Sequence, residues 1–115
     1  MHTSTSSPQM TECRDACMAC AQECLQTLHQ HCLPTGGVHV DPEHIGTMAD
    51  CAEICQAAAN FMTRGSRRHA EVCAACATIC TACADSCRDL DSMESCVAAC
   101  ERCAHLCGEM SGHAA

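Results

Sequence analysis

The sequence predicts an all-α fold, an antiparallel up-down-up-down four-helix bundle with a cysteine-lined core. Three observations predict it. Sixteen of the 115 residues are cysteine, and 13 of them recur at helical spacing: Cys13, Cys17, Cys20, Cys24; Cys73, Cys76, Cys80, Cys83, Cys87; and Cys96, Cys100, Cys103, Cys107. Residues three and four apart share one helix face, so each run forms a continuous stripe, the pattern helices turn toward one another in a bundle. Strand formers are scarce, no alternating apolar run stands out, and alanine, the best helix former, is abundant. The breaks between the later periodic segments are only a few residues long, which forces antiparallel neighbours.

The elements follow in order. Residues 1–9 are Ser/Thr-rich and polar and are expected to form a disordered tail; residues 10–110 form the bundle. The first helix is expected from about Met10 to Cys32, with the seam Met10, Cys13, Cys17, Cys20, Cys24, Leu28, His31, and with Pro34, Gly36 and Gly37 breaking it. Asp41, Pro42 and Glu43 open the second: a capping side chain, proline at the first helical position, an acid in the first turn. Its seam is His44, Met48, Cys51, Cys55, Ala58, Met62, and it ends near Thr63, before Gly65 and Ser66. The third helix is expected from Arg67 to Leu90, its cysteine seam extended by His69 and Leu90. Asp91 and Ser92 turn the chain, with Ser92 as N-cap, into a fourth helix that ends near Met110; residues 111–115 should fray. The third and fourth helices read as a duplication of one cysteine pattern, and the first echoes the fourth.

Composition narrows the function. The net charge is −8 with His neutral, there is no lysine, and no basic stripe for nucleic acid is present. Arg64, Arg67 and Arg68 cluster only in a short connection and read as a solvated helix start. No stretch approaches membrane-spanning length. The N-terminus shows neither an apolar export segment nor twin arginines, so a cytoplasmic location is expected. In that reducing compartment the cysteines are not expected to form disulfides.

Four readings compete for the thiols. As small core hydrophobes they would account for two or three cysteines, not for three regular stripes. Disulfides want Cβ atoms about 3.8 Å apart, whereas residues three or four apart on a helix hold theirs about 5–6 Å apart. Iron–sulfur ligation, implying an electron carrier, comes from a different cysteine run, and closed zinc sites are tetrahedral knots of four ligands. Cu(I) is soft and prefers thiolate. It accepts two or three sulfurs, so a pair one helical turn apart can clasp one ion, and each thiolate can bridge two. The expected rungs are Cys13/Cys17, Cys20/Cys24, Cys73/Cys76, Cys76/Cys80, Cys80/Cys83, Cys83/Cys87, Cys96/Cys100 and Cys103/Cys107. Full bridging would hold roughly one ion per thiol, about 16 per chain. Each monovalent ion neutralises one thiolate, and an unpaired thiolate in a dry core would be prohibitive. The expected function is therefore binding and storage of multiple Cu(I) ions, with no enzymatic activity. An iron–sulfur electron carrier and a zinc or thiol buffer are the alternatives.

The stripes Cys13–Cys24, Cys73–Cys87 and Cys96–Cys107, with the pair Cys51 and Cys55, resemble the bacterial copper storage proteins over about residues 10–110. The resemblance implies a four-helix bundle, commonly a tetramer, whose core fills with many Cu(I) ions, and it is to the cytosolic branch of that family. The expected partners are copper ions and a copper chaperone, and all sixteen cysteines are expected as ligands. Cys32, just off the first seam, is the departure from the pattern.

Copper needs an entrance. One end gathers Leu28, His31, Cys32, His39, His44, Met48, Leu90 and Met93; the other gathers Met10, Phe61, Met62, His69 and Met110. Methionine and histidine suit a relay of Cu(I), although methionine at helical spacing is also ordinary core filler. The first end has more histidine and a longer loop and is the expected mouth. His44 and Met48 are the leading ligands there, with His31, His39 and Met93 beside them. His29, His105 and His113 are expected to face solvent.

Overall fold

The computed structural model describes residues 7–112. Four helices, α1 (Pro8–Thr27), α2 (Pro42–Thr63), α3 (His69–Arg88) and α4 (Glu94–Met110), run up, down, up and down. Each packs on the two beside it, and α4 closes the ring against α1. Among the described residues there is no strand.

Helix α1 starts at Pro8, two residues before the expected Met10. Ser7 is the cap: its Oγ accepts the Met10 N–H at 3.0 Å, and Pro8, which has no N–H to satisfy, fills the first position. The tails expected at residues 1–9 and 111–115 lie largely outside the described residues, as does His113. At its far end α1 continues into a π turn, Leu28–Cys32, and then one α turn, Leu33–Thr35. The Leu33 N–H reaches the Leu28 carbonyl, five residues back. Contrary to the expectation from sequence, Pro34 therefore does not break the helix but sits just beyond a widened turn. Its ring would clash with the carbonyl four residues earlier in a regular helix, and the wider turn relieves that. The chain leaves the helix at Gly36 and Gly37, whose φ values of 72° and 58° suit glycine.

Asp41 stands at the N-cap of α2 as expected, but its side chain makes no capping bond. The helix closes in a Schellman turn: Gly65, at φ 68°, donates to the Met62 carbonyl, and Ser66 donates to the Phe61 carbonyl at 2.9 Å. Helix α3 is shorter than the expected 67–90. Ser92 is not a cap: it adopts φ 61° in the turn, and Met93 precedes α4.

All sixteen cysteines are fully buried, with no exposed surface, and all are free thiols. Ala16, Ala21, Ala52, Ala58, Ala59 and Ala84 fill the seams between helices. The ends are stopped by methionine, Met48 and Met93 at one and Met62 and Met110 at the other. Outside, Arg88 joins Asp85 to Glu101 across α3 and α4, and Arg102 reaches Glu12 across α4 and α1. These pairs are exposed and add little stability. One expectation needs correcting. Helix α3 is, by length and composition, long and apolar enough to cross a membrane. Cysteine and alanine give it that hydropathy; in the bundle its thiols face the core, while Glu71, Thr78, Thr81, Asp85 and Arg88 face outward.

Candidate metal centre

The helices stack the thiols in layers along the bundle axis. Because α1 and α3 run opposite to α2 and α4, each layer draws on several helices. From the Met110 end the groups are Cys13, Cys73, Cys107; then Cys17, Cys76, Cys103, Cys107; then Cys20, Cys55, Cys80, Cys103; then Cys20, Cys24, Cys51, Cys100; then Cys24, Cys83, Cys96, Cys100. Within each, the sulfurs all lie within 4.8 Å of one another. Adjacent groups share members: Cys107, Cys103, Cys20, Cys24 and Cys100 each belong to two. The column is therefore continuous, and the shared sulfurs are placed to bridge.

The rungs differ from those expected. Cys20/Cys24, Cys76/Cys80 and Cys103/Cys107 do stand 4.0, 3.7 and 4.0 Å apart within single helices. The shorter contacts cross between helices: Cys17 to Cys107 and Cys55 to Cys80 at 3.4 Å, Cys17 to Cys103 at 3.5 Å, and Cys51 to Cys80 at 3.6 Å. A helix holds its own neighbouring Cβ atoms about 5–6 Å apart, whereas facing helices interdigitate. An ion clasped by the closest pairs ties helices together.

Above the last layer, Cys87 meets Cys96 at 3.8 Å, and beyond it the ligand type changes. The π turn decides this. Eight residues separate Cys24 from Cys32, which in a regular helix would put Cys32 about 80° round from the seam and His31 nearly on it. The widened turn rotates Cys32 inward instead and leaves His31 half-exposed. Cys32 Sγ then lies 3.7 Å from His44 Nε2, 3.8 Å from Met48 Sδ and 3.9 Å from Met93 Sδ. The structure thus brings together three of the five non-cysteine candidates around the cysteine that departs from the stripe pattern. His31 and His39 lie at the same end but turn elsewhere: each Nε2 is 3.1 Å from the Asp91 carbonyl, which only accepts, so each donates. Their rings meet edge-on at 5.0 Å. His29 and His105 are exposed, as expected.

Ser86 was not singled out by the sequence. Its Oγ is 2.6 Å from His44 Nδ1. When that nitrogen donates, Nε2 keeps its lone pair toward Cys32, the orientation a metal-binding histidine needs. Nothing in the sequence distinguishes Ser86 from other half-buried serines. Burial, with His39 nearby as a second cause, lowers the His44 pKa and so favours the neutral ring. Burial likewise raises the Cys32 thiol. Deeper in the column the thiols hydrogen-bond to one another, so one sulfur can ionise against its neighbours' S–H groups. Hydrogen bonds with Cys107 and Cys17 draw Cys103 down to about 7.

A family model described as "Copper storage protein" matches residues 5–112. The chain belongs to this family. Among solved structures, a copper storage family chain such as this one is similar to the Nmul_A1745 protein from Nitrosospira multiformis, at 48% identity and a TM-score of 0.89, over 90% of this chain and 94% of that one. It is also similar to the Cu(I)-bound copper storage protein BsCsp3, at 33% identity and a TM-score of 0.82, over 90% of this chain and 99% of that one. A curated relative, the uncharacterized cysteine-rich protein YhjQ of Bacillus subtilis (strain 168), is 37% identical over 102 residues, 87% of each chain.

Proposed function

We propose that this member of the copper storage family holds many Cu(I) ions on the thiolates of its core, as a store and not as an enzyme. The observation that carries this is the set of sixteen buried, free cysteines, fourteen of them in five overlapping sulfur groups, with Cys87 joined to the last group through Cys96. Overlap calls for bridging thiolates and for an ion content with two or three sulfurs, which is the chemistry of Cu(I). Anaerobic titration of the reduced protein with Cu(I), against a competing chelator and with elemental analysis, tests it. Uptake should approach about 16 ions per chain, roughly one per thiol. Saturation at a handful of equivalents, or tighter retention of zinc than of Cu(I), would reject it.

All sixteen cysteines serve as ligands in this reading, and copper enters at the Cys32 end. His44, Met48 and Met93 relay ions from solvent to the column through Cys32, while His31 and His39 hold the loop through Asp91. Replacing His44 with Ala together with Met48 with Leu should slow uptake from a Cu(I) donor several-fold and leave the final count within about two ions of the unmodified chain, since neither residue lies in the thiolate layers. Stopped-flow loading measures this; unchanged rates would move the entrance elsewhere. The setting is the cytosol, where thiols stay reduced, with a copper chaperone as exchange partner. The apolar Met18 and Leu25, exposed on α1, support assembly into the tetramer implied by the family resemblance.

A further inference from the structure

The end opposite the mouth is stopped by Met62 and Met110, and it also carries a buried histidine. His69 stands at the start of α3 and is 6% exposed. Its Nδ1 lies 3.0 Å from the Ser66 carbonyl. A carbonyl only accepts, so Nδ1 carries the hydrogen and Nε2 of the neutral ring is left with a lone pair. That Nε2 is buried and has no hydrogen-bond partner among the described residues. A buried acceptor without a donor lowers stability, and a core that needed only a plug would be better served by another methionine or leucine.

Soft donors stand at the same end of the bundle. Cys73, one turn along α3, shares the His69 face, and helical side chains lean back toward the N-terminus, so its sulfur tilts toward the turn that holds His69. Cys73 Sγ lies 3.9 Å from Met62 Sδ and belongs to the first sulfur group with Cys13 and Cys107. The Nδ1–H to backbone carbonyl bond is the arrangement that usually fixes a metal-binding histidine, leaving the other nitrogen free to ligate. We infer that His69 Nε2, Met62 Sδ and Cys73 Sγ form a mixed nitrogen–sulfur site for a soft monovalent cation, which caps the thiolate column at the end away from the mouth. Binding there moves the Cys73 thiol proton to solvent and puts one positive charge beside one thiolate, so the pocket stays neutral. This rests on the storage reading above, and the ion held here is one of the roughly one per thiol, the one whose displaced proton is that of Cys73.

The test uses the full chain, labelled with nitrogen-15 and loaded anaerobically with Cu(I), which is diamagnetic and leaves spectra sharp. Long-range proton–nitrogen correlations report the state of each imidazole nitrogen. His69 Nε2 should leave its lone-pair position as loading nears completion, and His69→Leu should lose one Cu(I) equivalent per chain while His69→Met keeps it. A chain that fills with copper while His69 Nε2 stays unmoved overturns the terminal site and leaves the store intact. A chain that takes up no copper overturns both. The nitrogen spectrum of the unmodified protein decides the matter even where His69→Leu fails to fold.

Discussion

Copper loading should raise the melting temperature of this protein by several tens of degrees. The metal-free core is thin. It consists mainly of cysteine and alanine, with Phe61 as the sole aromatic residue in the sequence and four fully or nearly fully buried methionines closing the ends. Small side chains remove little apolar area from water, about 25 cal/mol per Å2 at best. Bound ions change the balance, because the closest sulfur pairs lie on different helices, such as Cys17 with Cys107 and Cys55 with Cys80, and unfolding pulls them apart. A ligand at 100 times its dissociation constant adds about 2.7 kcal/mol per site. Four such sites would add about 11 kcal/mol, as much as the whole stability of an ordinary domain. At about 4 °C per kcal/mol for a chain of this size, the transition should move by about 40 °C. Anaerobic circular dichroism melts of the empty and loaded forms measure it. Coincident transitions would mean that the metal sits outside the column.

Loading should also release about one proton per copper ion, close to 16 per chain at saturation, because each ion displaces a thiol hydrogen. Burial holds Cys32 protonated at neutral pH, and hydrogen bonds with Cys13, together with burial, outweigh the opposing bond with Cys107 to push Cys73 up to about 12. The sign follows directly. Protons and Cu(I) compete for the same sulfurs, so uptake weakens as pH falls and strengthens as it rises. A pH-stat titration in weak buffer gives the ratio. Zinc in closed four-thiolate sites would release about four protons per ion, and a ratio near zero would place copper on neutral methionine and histidine donors.

The three cysteine stripes were legible because a 3-4 spacing has one physical meaning on a helix, and the burial of all thirteen of those residues follows from it. Cys32 was not, because a single wider turn leaves no signature beyond an eight-residue gap that fits neither seam position. That same turn exchanged the roles of His31 and Cys32. The cross-helix rungs were also hidden, since spacing along one helix says nothing of the axial register between two. The Ser7–Pro8 start carries the same cap-and-proline signal as Asp41–Pro42 but sits in a polar tail that masked it. Ser92 has the right residue type for a cap and the wrong backbone, a left-handed turn forced by the short link between α3 and α4.

Every thiol is sealed from solvent, and a swap of hydrogen for a monovalent cation leaves the chain at its −8. A saturated molecule and a vacant one consequently wear the same coat, with equal isoelectric points despite unequal masses. No docking protein could sort them by touch along the flanks. Whether cargo arrives or departs then follows the free cuprous activity outside.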